Sequence, residues 1–120
     1  MAKAVRDVTV NEVRLVGTLS AGPQVRELPS GDALCVCRLV VPRTDVRVLP
    51  SGRRGPSVDV VDLAAWAPRP RRSMAGWQAG DEVEVAGALR RRFYRSGGRT
   101  ASRVEVEIRS GRVVRRAGSG

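Results

Sequence analysis

Arginine is the residue type through which this sequence can do the most chemistry. The chain carries 22 lysines and arginines against 12 aspartates and glutamates, a net charge of +10, and Lys3 is its single lysine. A guanidinium group binds phosphate through paired hydrogen bonds and also stacks on flat rings. This composition therefore favours a polyanionic partner over a neutral one.

The sequence offers little for catalysis or metal binding. Histidine is absent, which removes the commonest general base and the commonest metal ligand. Cys35 and Cys37 lie two positions apart, so both side chains face one way on a strand, and no further ligand pair completes a zinc site. We expect buried cysteines that act as small hydrophobic residues, with no catalytic residue, cofactor or metal.

The positive charge is concentrated in two blocks. Residues 1–37 sum to zero, residues 38–72 to +5 and residues 88–116 to +8, while residues 73–87 between the blocks sum to −3. Each basic block contains a segment rich in glycine, at 42–57 and 95–99. Connecting loops often carry binding residues, so these two segments are the first candidates for contact with a polyanion.

The elements that position these residues follow from the apolar pattern. Apolar residues alternate with polar ones along most of the chain, which predicts strands, and residues 69–79, with Pro70 in the first turn, form the one helical candidate. Residues 42–57 lose the alternation and predict a long, flexible, basic loop. The predicted strands are 11–19, 24–28, 33–41, 58–67, 81–94 and 100–114.

This order of elements indicates one small all-β domain. Five long strands, with one short helix between the third and the fourth, match the five-stranded Greek-key OB-fold barrel, which binds oligonucleotides. We assign residues 1–114 to this single domain and residues 115–120 to a short flexible C-terminal end. No apolar run is long enough for a membrane span and no secretory leader opens the chain, so we expect a cytoplasmic protein without a membrane partner.

Several segments resemble the bacterial single-stranded DNA-binding protein family. They are NEVRLVGTL at 11–19, PQVR at 23–26, PSGDA at 29–33, DLAAW at 62–66 and GDEVEVAGALRRR at 80–92, in the order and spacing of that family, over residues 8 to 114. The resemblance implies an OB-fold that binds single-stranded DNA without sequence preference, usually as a homotetramer. It further implies a nucleoid-associated role in DNA replication, recombination and repair.

The resemblance also implies which aromatic residues stack on bases. Trp66 occupies the family's stacking position near the end of the third strand, and Tyr94 matches its aromatic at the rim of the last hairpin. Val60 occupies a position where the family often has a second aromatic. Phe93 is a further candidate, with packing under the hairpin as the alternative, and Trp77 on the helix is expected in the core with Met74.

Nine arginines in or near the two loops are the expected phosphate or base contacts. Each can neutralise a phosphate or stack on a base through its guanidinium plane. Four lie in the long loop and five lie on or near the last hairpin: Arg43, Arg47, Arg53, Arg54, Arg90, Arg92, Arg95, Arg99 and Arg103.

The end of the chain departs from the family pattern, and two alternative functions stay open. Family members commonly carry an acidic, hydrophobic C-terminal tip that recruits enzymes; this chain ends in Arg115-Arg116-Ala117-Gly118-Ser119-Gly120, as a short paralogue or a truncated chain would. Recruitment through such a tip is therefore not expected. The alternatives are an OB-fold protein-interaction subunit, favoured by the low aromatic content, and an RNA-binding OB domain.

Overall fold

The computed structural model describes residues 8–118. Within them, alternating apolar residues form strands as predicted, and the single helix lies between the fourth and fifth strands. The elements are β1 (Val13–Leu19), β2 (Gln24–Glu27), β3 (Ala33–Pro42), β4 (Val58–Ala65), α1 (Pro68–Ala75), β5 (Glu82–Ser96) and β6 (Arg99–Arg115).

The five long strands are joined in a ring of pairings. β1 pairs with β5, β5 with β6 and β3 with β4, all antiparallel, while β6 pairs with β4 in parallel over two residues. β1 returns to β3 through Thr18 and Leu19, opposite Val40 and Leu39. This arrangement confirms the predicted all-β OB-fold. A sixth strand, β2, adds to the edge of β3 because the extended segment at 24–27 pairs with residues 33–36.

The core is built from the inward positions of this alternation. Leu39 and Val85 are fully buried, and Leu63 and Ile108 are nearly so. Cys35 and Cys37 join the same cluster, as predicted, and burial raises the pKa of the Cys37 thiol to about 12, with the neighbouring Cys35 adding to the effect. Side chains at the intervening positions therefore face outward and are free to form a binding surface.

Gly87 allows the long strand β5 to belong to the barrel in its first half and to the last hairpin in its second half. The register between β5 and β6 shifts at Ala86 and Gly87. A Cβ at Gly87 would overlap the carbonyl oxygen of Glu107 and lie 2.8 Å from the Cα of Ile108. Only glycine admits this approach, so the long strand can bend there and continue as the arm that carries Tyr94.

The helix is shorter than the sequence predicts. It spans Pro68–Ala75 and ends at Gly76, so Trp77 lies beyond it instead of within it. Met74 and Trp77 are both buried, at 0% and 5% exposure, which confirms their predicted place in the core. The amide of Trp77 donates to the carbonyl of Met74, and after this tight turn the indole packs into the core cluster with Met74.

Asp81 connects the end of β6 to the turn before β5. Its carboxylate is fully buried and accepts hydrogen bonds from the amides of Ala117 and Gln78 and from Arg116 Nη1, each at 2.9 Å. The Ala117 amide is the main cause that holds the Asp81 pKa below its ordinary value. We predicted a flexible end from residue 115; in the structure Arg115 closes β6 and residues 116–117 bind Asp81, while residues 119–120 lie outside the described part.

Candidate nucleic-acid interface

The outward side chains of five neighbouring strands form one surface, which we call the outer face. Cross-strand pairing places Arg38 opposite Asp62, and Arg92 opposite Arg103. β2 contributes residues to this side as well, because Gln24 and Arg26 pair with Val36 and Leu34, which alternate with the core residues Cys35 and Cys37. The outer face thus carries cationic side chains from both basic blocks on one continuous sheet. Its members used below are Arg26, Arg38, Asp62, Trp66, Arg90, Arg92, Tyr94, Arg103, Glu105 and Glu107.

Trp66 lies on this face, immediately after β4. Leu63 is 1% exposed in the core, whereas Trp66 is half-buried and packs against Arg92. The Arg92 guanidinium carbon lies 5.0 Å from the centre of the indole ring, a cation–π distance. The sequence reasoning that placed Leu63 inward and Trp66 outward agrees with this geometry. Val60, further back along β4, is 59% exposed and adds no ring to the face.

Tyr94 continues the same row toward the hairpin tip. Its side chain is 42% exposed, and the Arg103 guanidinium carbon lies 5.9 Å from the ring centre. Arg26, Arg92, Tyr94 and Arg103 together line a cleft of about 240 Å³. The outer face therefore presents two aromatic rings, each in contact with a guanidinium group, which suits a chain of stacked bases joined by phosphates.

Phe93 lies on the opposite side of the hairpin. It is 70% exposed, so the alternative that it packs under the hairpin is wrong for the described residues. Adjacent residues of a strand point to opposite sides, so Phe93 and Tyr94 do not share a surface. A strand of DNA confined to the outer face would contact Tyr94 but not Phe93.

Three of the nine predicted arginines are paired with acidic residues of neighbouring strands. Arg43 binds Asp59 through Nη2 at 2.7 Å, Arg90 binds Glu107 at 3.1 Å, and Arg92 Nη1 lies 3.6 Å from Glu105 Oε2. The hydrogen bond to Asp59 is the main cause that raises the Arg43 pKa above its ordinary value. The other six form no ion pair with any described residue: Arg47, Arg53, Arg54, Arg95, Arg99 and Arg103.

The loop between β3 and β4 is a hydrogen-bonded hairpin, not the flexible segment predicted from its proline and glycine content. The amide of Arg43 donates to Ser57, that of Gly55 to Arg47, and that of Leu49 to Arg53. Val48 and Arg54 form a bridge across the two arms. Three predicted arginines, Arg47, Arg53 and Arg54, are therefore presented on an ordered arm that extends beyond the barrel.

The acidic residues of the block at 73–87 form ion pairs with arginines that do not belong to the outer face. Arg14 and Arg112 both bind the Glu84 carboxylate, and Arg116 binds Asp81. The hydrogen bond from Arg14 is the main cause that lowers the Glu84 pKa. These carboxylates consequently stabilise the barrel by pairing with cations and do not oppose an anion on the outer face.

Sequence reasoning missed Arg26 and Arg38. Both lie in or near the part of the chain whose charges sum to zero, and neither belongs to a loop. Arg26 has no ion-pair partner among residues 8–118, and Arg38 binds Asp62 at 3.2 Å. The available signal was the alternation in residues 24–27, which predicts a strand with Gln24 and Arg26 on one side.

A buried carboxylate lies among these cations. Glu105 is 3% exposed, and burial raises its pKa, while Arg92 and Arg103 act in the opposite direction. Together with Arg26, Arg38 and Asp62 it borders a cavity of about 330 Å³ between β2, β3, β4 and β6.

The helix described within residues 8–118 is too short and too polar to span a membrane.

Comparisons with known proteins identify a family and support the fold. The model of the single-strand binding protein family matches residues 10–114. The solved structure of the Plasmodium falciparum SSB complex with ssDNA is similar, with a TM-score of 0.70 and 16% sequence identity, over 91% of this chain and 96% of that one. No curated protein matches the chain.

Proposed function

This chain belongs to the single-strand binding protein family, and on that premise we propose that it binds single-stranded DNA by stacking bases on aromatic rings and holding phosphates with arginines. Stacking needs no base-edge contacts, so a surface of this kind accepts many sequences. Within this proposal the protein has no catalytic role. It protects exposed DNA during replication, recombination and repair in the cytoplasm, as a homotetramer like its family.

One observation carries the proposal: two aromatic rings and the guanidinium groups that contact them lie on a single face. Trp66, Arg92, Arg103 and Tyr94 follow one another there, with Arg26 beside them. A single strand exposes bases for these rings and phosphates for these cations, whereas in a duplex the faces of the bases are covered by stacking on one another.

Fluorescence titration with oligothymidine tests the proposal. Trp77 is 5% exposed in the core, so quenching by a bound base reports on Trp66, the other tryptophan of the chain. We expect quenching at low salt and its reversal at high salt, with a duplex of equal length as the control. Absence of binding to a long oligothymidine at low salt would contradict the proposal.

Competition with RNA separates the DNA and RNA alternatives. Matched deoxyribose and ribose oligomers of equal length differ in the 2′-hydroxyl and carry the same number of phosphates for electrostatic capture. We expect the deoxyribose oligomer to displace a labelled DNA strand at the lower concentration. A stronger RNA competitor would favour the RNA-binding alternative.

A further inference from the structure

We propose that the cavity bordered by Arg26, Arg38, Asp62, Arg103 and Glu105 takes one nucleobase that carries an amino group, and that Glu105 accepts a hydrogen bond from that group. This inference rests on the proposed function and adds to it a preference among bases. Cytosine, adenine and guanine carry exocyclic amino groups, whereas thymine and uracil present a carbonyl oxygen at the corresponding edge. Glu105 is then a specificity-determining residue.

The state of the Glu105 carboxylate is the first argument. Its side chain is 3% exposed, and Oε2 is buried without a hydrogen-bond partner among the described residues. Its ion-pair partner, Arg92 Nη1, lies at 3.6 Å, beyond hydrogen-bond distance. Buried carboxylates are normally satisfied by donors; here the charges of Arg92 and Arg103 offset part of the lost hydration, but no donor fills Oε2. An unfilled acceptor beside a cavity therefore indicates a donor that arrives with a ligand.

The charges around the cavity give the second argument. Asp62 is already bound by Arg38 Nε at 3.2 Å, so it has less capacity to bind a ligand donor than Glu105 does. Arg26 and Arg103 border the same cavity and pair with no acid among residues 8–118. A carboxylate repels a phosphate, whereas these two arginines attract it. The charges therefore favour a nucleotide that lies with its phosphate toward the arginines and its base toward Glu105.

Size and position give the third argument. At about 330 Å³ the cavity lies at the lower end of the range for small-molecule sites. It shares Arg26 and Arg103 with the cleft beside Tyr94. A strand that stacks on Tyr94 can thus place a neighbouring base in this cavity without leaving the outer face.

Binding of oligodeoxycytidine and oligodeoxyuridine of equal length tests the inference. The two pyrimidines differ along one edge: cytosine has an amino group at position 4 and an acceptor at N3, whereas uracil has a carbonyl oxygen at position 4 and an N3–H group. The comparison therefore tests whether the site selects the 4-amino group over the N3–H donor. Burial raises the Glu105 pKa, so the titrations are made at several pH values above neutrality, where a rising pH favours the ionised carboxylate. We expect the wild type to bind the cytidine oligomer about tenfold more tightly, the effect of one hydrogen bond to a charged group.

Two variants separate the role of Glu105 from a general effect of charge. In Glu105→Gln the side chain keeps its size but presents both a donor and an acceptor, so we expect the ratio of the two affinities to fall close to one. Glu107→Gln removes the same charge two residues along β6, outside the cavity, and should strengthen both affinities while the ratio stays at its wild-type value.

The possible results are distinguishable from failure of the proposed function. Equal wild-type affinities for both oligomers, or an unchanged ratio in Glu105→Gln, overturn the inference and leave single-stranded DNA binding in place. Absence of binding to either oligomer overturns both. The wild-type ratio requires no variant, so the inference stays testable if Glu105→Gln does not fold.

Discussion

Arginines that are free in the structure should contribute to the salt dependence of DNA binding, and paired arginines should contribute much less. Arg43 and Arg47 offer a matched test, because both belong to the arm between β3 and β4 and lose one charge when changed to glutamine. Arg43 binds Asp59 through Nε at 3.1 Å and Nη2 at 2.7 Å, whereas Arg47 has no ion-pair partner in the described chain.

The expected magnitude follows from the number of unpaired arginines. Each phosphate neutralised on a single strand contributes about 0.7 to the slope of log affinity against log salt. Seven candidate arginines form no ion pair with any described residue, so we expect a wild-type slope of about −5 per chain. The seven are Arg26, Arg47, Arg53, Arg54, Arg95, Arg99 and Arg103.

Arg47→Gln should make the slope shallower by about 0.7 and weaken binding about fivefold near 0.1 M salt. Arg43→Gln should change the slope by less than half as much. In the wild type, Arg43 must give up its ion pair with Asp59 before it binds a phosphate, so it contributes little to the slope that the variant could lose. It still weakens binding, since Asp59 is left as an unpaired negative charge near the DNA. Asp59→Asn frees Arg43 and should steepen the slope.

The assay is a fluorescence titration with oligothymidine at four or more salt concentrations for the wild type and the three variants. Thermal unfolding of each variant serves as the control for folding. Equal losses of slope in Arg43→Gln and Arg47→Gln would refute the reasoning, because the pair with Asp59 would then not limit the availability of Arg43.

Three further outcomes are expected. Trp66→Ala should weaken binding by about 1–3 kcal/mol at constant salt, the contribution of one stacked base, and unchanged affinity by titration would remove Trp66 from the site. Gly87→Ala should destabilise the fold by about 1–3 kcal/mol in chemical denaturation, because its Cβ meets the Glu107 carbonyl; wild-type stability would show that β5 can shift there. Asp81 has a lowered pKa, mainly through the Ala117 amide, so its stabilising effect exists above the pKa of the unfolded chain and is lost as the pH falls through the folded value. Asp81→Asn should therefore lower the neutral-pH Tm by several degrees and flatten the acid side of the stability curve, and an acid limb parallel to that of the wild type would contradict this role.

Local patterns in the sequence determined the strands and the direction of most side chains. Alternation alone placed Leu63 inward and Trp66 outward, and it placed Cys37 in the core, because a strand sends successive side chains to opposite sides whatever surrounds it. The predicted helix was correct in type but too long. It ends at Gly76, and glycine is a common residue at helix ends, so the sequence did carry a local signal for the shorter helix.

The availability of the arginines was decided by the tertiary structure. The sequence shows Arg43, Arg90 and Arg92 as equivalent to Arg47 and Arg99, yet the first three face carboxylates on neighbouring strands. An ion pair of this kind depends on strand register between residues that are distant in the chain, and a one-residue shift would send each partner to the other face.

The same register explains the remaining features of the outer face. Pairing of β2 with β3 brings Arg26 to the face, although its part of the chain is neutral overall. Burial of Glu105 among the strands leaves a carboxylate in the middle of a cationic surface. The sequence by itself determined that the chain is a basic barrel with rings on its outside. Only the fold decided which charges on that barrel are free, because free charge depends on neighbours that the chain assembles from distant segments.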